Sequence, residues 1–251
     1  MISKAEIKYL NSLKYKKHRE KHGVFLVEGH RIISSALEFD NSIETIFLTE
    51  RFKKPLSSRS VLEKIQTSQI PKKIIDEKEM NIITETETPS GIAALCTMQN
   101  LKTNLTEFAG PGIFLDKISD PGNFGTICRT ASWFGVNHVF LSQHCVDPFN
   151  PKAVRSGAGA HFHLRFYQVD LKTLSEKKFD IIGTDITGTP VQEFKRKNIN
   201  NLVVVFGNEA RGISDKNRPY LDKIVSIPKH GFGESLNVAA AAGIILSYLI
   251  N

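Results

Sequence analysis

The 251-residue chain is poor in cysteine: Cys96, Cys128 and Cys145 lie far apart, and no two form a CxxC pair. An odd count without a close pair excludes a disulfide framework and a zinc ribbon and fits a reducing compartment. Long hydrophobic runs are also missing. The longest, Val238 to Ile250, is broken by Ser247 and falls short of the roughly 20 residues that a membrane span needs. The opening stretch MISKAEIKYLNSLKYKK is basic but leads into no apolar segment, so it does not read as a secretory signal, and a cytoplasmic location without a membrane partner is expected. No G-x-S-x-G, P-loop lysine motif or H-E-x-x-H occurs. His161 and His163 would share one face of a strand, but no third ligand follows at a usable spacing, so no metal site is expected. Gly231-x-Gly233 is too short for a dinucleotide fingerprint and precedes the last helix instead of the first βα turn, which argues against a nucleotide-binding oxidoreductase.

What the chain does have is positive charge. Thirty-three Lys and Arg stand against 26 Asp and Glu, a formal net charge of +7 and a pI of about 9.2. An excess of this sign suits a polyanionic partner, since each Lys or Arg at a phosphate releases bound counterions. Residues 3 to 22 read as one helix with Ile2, Ala5, Tyr9 and Leu13 near one face and seven basic residues against two acidic ones. That helix is either a solvated basic surface or an arm that contacts phosphate.

Hydrophobic residues at 41% and charged residues at 24% describe a globular protein of one large domain or two modest ones. From Gly23 to Met98, apolar strands (Val24 to Val27, Ile43 to Leu48, Lys73 to Ile75, Ile92 to Cys96) alternate with helices (His30 to Phe39, Glu77 to Ile83), a small α/β unit. Residues 99–110 lose all periodicity and read as a linker between a 1–98 domain and a 111–251 domain. The second half alternates again: Ile113 to Leu115, Gly125 to Phe134, Val139 to Leu141, Pro151 to Ser156, Ile181 to Thr184, Leu202 to Phe206, Ile224 to Ile227 and Leu236 to Ile250. Apolar strands separated by helices predict a mainly parallel sheet covered on both faces.

Three loops carry the chemistry. The first runs from Leu115-Asp116 through DPGNFGTICRTASWFG, with turn chemistry at Asp120 to Asn123 and a helix whose apolar face is Phe124, Ile127, Cys128, Ala131 and Phe134. Arg129 falls roughly opposite that face, where packing has no need of an arginine. The second, VVVFGNEARG, is a buried strand opening at Gly207-Asn208-Glu209, and a glycine there lets a flat ligand approach the backbone. The third is IPKHGFGESLNVA, in which Ser235 is a natural helix N-cap and Asn237 sits in an apolar helix, where a buried amide would need partners from a ligand or a second subunit. Arg155, with Lys152 one turn away, stands near a helix start as either a phosphate contact or a cap.

In order and spacing, DPGNFGTICRTA, VFGNEARGIS and IPKHGFGESLNVAAA resemble the three motifs of the SpoU/TrmH group of RNA 2′-O-methyltransferases. FLVEGHR and SGIAAL in residues 23–97 are similar to that group's substrate-binding domain, so the resemblance spans nearly the whole chain. It implies a parallel α/β domain whose C-terminal segment threads a trefoil knot, a rare topology that periodicity does not reveal. It also implies S-adenosylmethionine as cofactor, RNA as substrate and a homodimer. By position, Gly207, Ile227 and Leu236, with Thr184 at a strand end, would line the cofactor pocket. Asn123, Arg129, Glu209, Ser235 and Asn237 fall on active-site positions, and Lys152, Arg155 and Arg211 are candidates for RNA contact. Lys229 departs from the group, which usually has methionine after Ile-Pro, and that bears on the pocket lining or RNA contact.

A separate N-terminal domain of this kind resembles the ribosomal RNA members of the group, which favours ribosomal over transfer RNA. The competing reading, a non-catalytic RNA-binding or ribosome-assembly factor, predicts eroded cofactor loops, and these are intact. In the implied reaction Arg129 is an awkward base because a guanidinium stays protonated. Its expected role is a bidentate grip on the adjacent phosphate that also stabilises the forming alkoxide.

Overall fold

A computed structural model describes residues 2–39, 42–53, 59–99, 101, 105, 110–194 and 199–250. Most of the expected linker 99–110 lies outside the described residues. The chain separates into two compact units, residues 1–100 with 149–162, and residues 101–148 with 163–251.

The first unit opens with α1 (Lys4–Ser12) and α2 (Lys16–His22) instead of one helix over 3–22. The break at Leu13 to Tyr15 has a physical cause. Arg19, one of the basic residues that in sequence face either solvent or phosphate, is 2% exposed and turns back, its Nη1 donating to the carbonyls of Leu13 and Lys14 at 2.8 Å each. It thereby satisfies carbonyls at the α1 terminus that have no helical donor. The helices lead into β1 (Val24–Glu28), α3 (His30–Phe39), β2 (Ile43–Leu48), α4 (Arg59–Thr67), β3 (Lys72–Ile74), α5 (Glu77–Ile83) and β4 (Ile92–Thr97). The strands form a sheet in the order β1-β4-β2-β3, antiparallel except for the β2/β3 pair. On α5 a capping box closes the N-terminus, with Asp76 accepting from the Glu79 N–H and Glu79 from the Asp76 N–H.

The second unit holds β5 (Gly112–Leu115), α6 (Pro121–Trp133) and β6 (His138–Leu141). After β6 the chain enters α7 (Pro151–Gly157) and a 3-10 turn at Ala160–Phe162, both of which belong to the first unit. There Phe149 and Phe162 pack on Phe25 with ring centroids 5.0 and 6.2 Å away. His161 lies in that turn and His163 in the coil after it, so the strand expected to align them does not exist, and His161 is buried beside Phe149. The chain returns through β7 (Arg165–Gln168), α8 (Leu171–Glu176), β8 (Asp180–Pro190), β9 (Leu202–Phe206), β10 (Lys223–Ser226) and α9 (Val238–Leu249). The six-stranded sheet has the order β10-β8-β9-β5-β6-β7, and every neighbouring pair is parallel. The expected parallel α/β architecture is present.

Strand β5 carries β6 and β7 on one side and β9 on the other, so the strand order reverses between β5 and β9. Ligands of open α/β sheets bind beyond the carboxyl ends of strands at such a switch point. Both strands are buried on both faces, no residue from Ile113 to Leu115 or from Leu202 to Phe206 being more than 1% exposed. Each large side chain buried there contributes roughly 1.5–3 kcal/mol, which makes the platform rigid.

Strand β8 runs well past the expected Ile181 to Thr184. Its pairing with β10 jumps from Gly183↔Ile224 to Thr189↔Val225, so residues 184–188 loop out of the ladder. Gly188 lies against backbone there, since a Cβ on it would come within 2.5 Å of the Val225 carbonyl carbon.

Candidate active site

The three loops meet at the carboxyl ends of β5 and β9. Asp120 caps α6, accepting from the Asn123 N–H at 2.7 Å, and Pro121 supplies the first helical residue, which needs no donor. The cap fixes Asn123 in the first turn. Beyond β9, residues 208–212 close a small loop through the reciprocal backbone bonds Asn208 N–H to Gly212 O (3.0 Å) and Gly212 N–H to Asn208 O (2.9 Å). Inside it the Asn208 Oδ1 accepts from the N–H groups of Ala210 and Arg211. Gly207 is necessary for a reason other than the expected ligand approach: a Cβ there would lie 2.2 Å from the Gly212 carbonyl carbon and the Ile213 nitrogen. The loop's own backbone fills that space.

A directional relay links the three motifs. The N–H groups of Ala239 and Ala240 donate to the Asn237 Oδ1 at 2.9 and 3.3 Å. The Asn237 Nδ2 donates to the Asn123 Oδ1 at 2.9 Å, and the Asn123 Nδ2 to the Glu209 Oε1 at 3.1 Å. Glu209 accepts three further bonds, from the Asp120 N–H (3.4 Å), the Ser119 Oγ (3.4 Å) and the Asn208 Nδ2 (3.3 Å). Both carboxylate oxygens are therefore occupied, and each amide has one orientation that completes the chain.

Asn123, Glu209 and Asn237 thus converge as expected, yet the reasoning about the third motif needs correction. Asn237, not Ser235, is the N-cap of α9, and it is exposed instead of buried. Its amide is satisfied by its own chain. Ser235 is exposed and forms no hydrogen bond with any described residue. Arg129 is exposed on the outer side of α6, whose Phe124, Ile127, Cys128 and Ala131 are buried, and it pairs with no described residue. Arg129 stays outside the relay, sharing its solvent face one turn on with Trp133, which is 85% exposed.

Of the cofactor candidates, Thr184, Gly207 and Ile227 follow the neighbouring strands β8, β9 and β10, or in Thr184's case sit where β8 leaves its ladder. The Thr184 hydroxyl donates to the Val205 carbonyl at 2.9 Å. Leu236 is 53% and Ile186 75% exposed, apolar side chains open to solvent in the segments beyond these ends. Asp185 anchors the 184–188 excursion. Burial pushes its carboxyl up, but the Arg218 guanidinium (Nη2 at 2.7 Å) and the Thr187 N–H and hydroxyl outweigh this and hold it below the usual carboxylate range.

Among the RNA-contact candidates, Arg211 is exposed on the closed loop. Arg155 lies in the last turn of α7 instead of near its start, with its Nη1 3.4 Å from the Glu28 Oε1 and from the Glu85 Oε2. Lys152 shares that helix, where its N–H donates to Asn150. Burial pushes the thiols of Cys128 and Cys145 up, which disfavours their thiolates.

The sequence points to Asn208 only as part of the Gly207-Asn208-Glu209 loop and does not point to Ser119. Their signal is weak, since a serine before a turn and an asparagine after a glycine are ordinary loop residues.

These features define a parallel α/β protein with a polar site at its switch point. The chain belongs to the SpoU rRNA methylase family, whose profile matches residues 111–247. Residues 4–94 match an MRM3-like substrate binding domain. The chain is 33% identical over 249 residues (97% of this chain, 95% of the other) to the 23S rRNA (guanosine(2553)-2′-O)-methyltransferase RlmP of Bacillus subtilis. It is 29% identical over 240 residues (91% and 83%) to the 23S rRNA (uridine(2479)-2′-O)-methyltransferase of Streptomyces viridochromogenes. Among solved structures, the SpoU methyltransferase AviRb from Streptomyces viridochromogenes, in complex with its cofactor AdoMet (S-adenosylmethionine), aligns with a TM-score of 0.83 at 26% identity over 98% of this chain and 97% of that one.

Proposed function

We propose that this protein transfers a methyl group from S-adenosylmethionine to a ribose 2′-hydroxyl of ribosomal RNA. The observation that carries the reading is the amide relay from α9 through Asn237 and Asn123 to Glu209, which ties the three motifs together at the switch point. The cofactor suits this end of the sheet, where exposed apolar Leu236 and Ile186 and half-buried Ile227 offer contact to a flat base and Gly207 offers backbone groups. When bound, S-adenosylmethionine supplies a methyl group on a positively charged sulfur.

The protein's own part is alignment and charge. Asn123, Asn237 and Ser235 orient the ribose, and the relay gives the two amides fixed directions before substrate arrives. Glu209 already accepts four donors, so it orients Asn123 and does not serve as a base. Arg129, exposed and unpaired among the described residues, grips the neighbouring phosphate and stabilises the 2′-oxygen while its proton leaves through phosphate or water. Arg211, Lys152 and the basic α1–α2 region are further phosphate contacts. Arg155 can join them only by leaving Glu28 and Glu85.

The domains of this reading are residues 1–98 for RNA binding, the 99–110 linker and 111–251 for methyl transfer, with the C-terminal segment knotted and the protein working in the cytoplasm as a homodimer. Support for the dimer comes from α6 and α9, which pack together and leave Trp133, Ile244 and Tyr248 at 85, 37 and 51% exposure. An apolar face of this kind suits a self-complementary contact with a second copy.

The test is transfer of labelled methyl groups from S-adenosylmethionine to unmodified 23S ribosomal RNA, with nuclease mapping and Arg129→Ala as control. Label on a ribose 2′-oxygen that disappears in the variant is the expected result. Label on a base, or failure to bind the cofactor at all, would refute the proposal.

A further inference from the structure

One buried charged group plays no part in the chemistry above. Asp116, directly after β5, is 1% exposed. Its Oδ2 accepts from the Ser214 N–H at 2.8 Å and the Ser214 Oγ at 2.7 Å. Its Oδ1 is equally buried and has no partner among the described residues. Burying a carboxylate is unfavourable unless donors compensate it, so packing alone does not account for an aspartate here.

The next residue acts on the same loop. Lys117 adopts a left-handed backbone (φ 57°), its N–H donates to the Ser142 Oγ at 2.9 Å, and its carbonyl accepts from the Asn208 Nδ2 at 2.9 Å. The two residues after β5 therefore hold the 208–214 segment at both ends, Lys117 at Asn208 and Asp116 at Ser214. Glu209 lies between these anchors. Three of its four contacts are long, at 3.3–3.4 Å, so the two anchors share in holding the loop.

We propose that Asp116 is a positioning residue: with Ser214 it clamps the far end of the loop and so keeps Glu209 against Asn123 in the geometry that methyl transfer needs. The inference rests on the methyltransferase reading for its effect on turnover, but not for its effect on the loop. The bonding pattern sets a sharp condition. An asparagine can present its amide oxygen in place of Oδ2 and accept both bonds from Ser214, whereas an alanine can accept neither.

The experiment compares Asp116→Asn, Asp116→Ala and Ser214→Ala with the wild type for kcat and KM on 23S ribosomal RNA and S-adenosylmethionine, together with Tm and amide hydrogen exchange of residues 208–214. Asp116→Ala should lower kcat by about ten- to a hundred-fold with little change in KM for RNA, as misplacement of a positioned group does. Its loop amides should exchange faster. Ser214→Ala, which keeps the backbone donor, should fall between, and Asp116→Asn should restore kcat and slow exchange together. An asparagine variant as poor as the alanine one would overturn the clamp and assign the effect to the second oxygen or the charge. A loss confined to Tm, with kcat intact, would overturn it too. Should the wild type transfer no methyl group, the functional reading fails while exchange still judges the clamp, and equal exchange in Asp116→Ala and wild type would sink it.

Discussion

Helices α6 and α7 start in the same way and end in different trades. Each follows a β-strand of the six-stranded sheet and opens on a capped proline, Asp120-Pro121 in one and Asn150-Pro151 in the other, and each carries an arginine that in sequence is a candidate ligand for phosphate. In α6, Arg129 faces solvent without a partner among the described residues, while the first turn of the helix feeds the amide relay through Asn123. In α7, Arg155 lies between Glu28 and Glu85 within the first unit. An arginine exposed and unpaired among the described residues is available for chemistry, whereas one held by two carboxylates has already found its charge partners. The difference lies in what the fold brings to each side chain, since Glu28 and Glu85 are far from residue 155 in sequence.

The largest effect should come from the free arginine. Arg129→Ala should reduce kcat on 23S ribosomal RNA by about 10²–10³-fold, the range for losing one preorganised donor to a developing oxyanion. Its Tm should stay near the wild-type value, because an exposed residue with no hydrogen bond or ion pair to the described residues shifts stability by only about 0.5 kcal/mol. Arg129→Lys should recover a small part of the activity, since lysine keeps the charge but not the fork. Full activity in the lysine variant would contradict the bidentate grip and erase the contrast between the two helices.

Asn237 tests whether the relay or the cap matters more. Asn237→Ala removes both and should cost about 1 kcal/mol of stability through the cap as well as turnover. Asn237→Asp keeps an acceptor for Ala239 and Ala240 but replaces the donor to Asn123 with a second acceptor. Its stability should approach the wild type while kcat stays low. Equal activity of Asn237→Asp and wild type, measured under single-turnover conditions, would remove the relay from the mechanism and leave only a helix cap.

Arg155→Ala should act in the opposite sense to Arg129→Ala, lowering Tm with kcat on RNA nearly unchanged. Partly exposed pairs of this kind are worth roughly 0.2–1 kcal/mol, and the 3.4 Å separations suggest nothing stronger. The loss should stay small because Glu28 keeps the Glu85 N–H (2.9 Å) and the Thr86 hydroxyl (2.7 Å) as donors in the variant. A drop in RNA affinity without a drop in Tm would reassign Arg155 to phosphate contact.

Much of this molecule is legible in its sequence, and the parts that are not share one physical cause. The bounds of Ile43 to Leu48 and Leu202 to Phe206 are visible in sequence because a buried strand needs a continuous apolar run, which local composition displays. The convergence of Asn123, Glu209 and Asn237 was legible through motif order. What composition hides is the use of polar residues against distant backbone. Arg19 reads as a surface charge until it caps α1, and Asn237 reads as a buried amide until it caps α9. The same holds for β8, whose residues 184–188 look like a loop because no apolar alternation marks them, although the strand resumes at Thr189 against Val225. Of the elements that the sequence reading does not name, β7 and α8 are too short to show a period, whereas α4 carries a clear apolar face with Val61 and Ile65 buried.

Arg218 extends the comparison to a third arginine and to pH. It pairs with Asp185, whose carboxyl the guanidinium and Thr187 hold below the usual carboxylate range despite burial. A carboxyl depressed in the folded state stabilises the fold above its unfolded pKa, and that contribution is lost as pH falls through the folded value. Arg155 and Arg218 should therefore both be silent at neutral pH, but acid should release the second and loosen the 184–188 excursion beside the cofactor candidates. With Arg218 39% exposed, the pair is worth only about 0.2–1 kcal/mol. The measurement is Tm against pH for Asp185→Asn and wild type: a gap at pH 7 that closes below the ordinary carboxylate range is expected. A gap that persists unchanged into acid would mean that Asp185 holds the excursion through its hydrogen bonds to Thr187 and not through its charge.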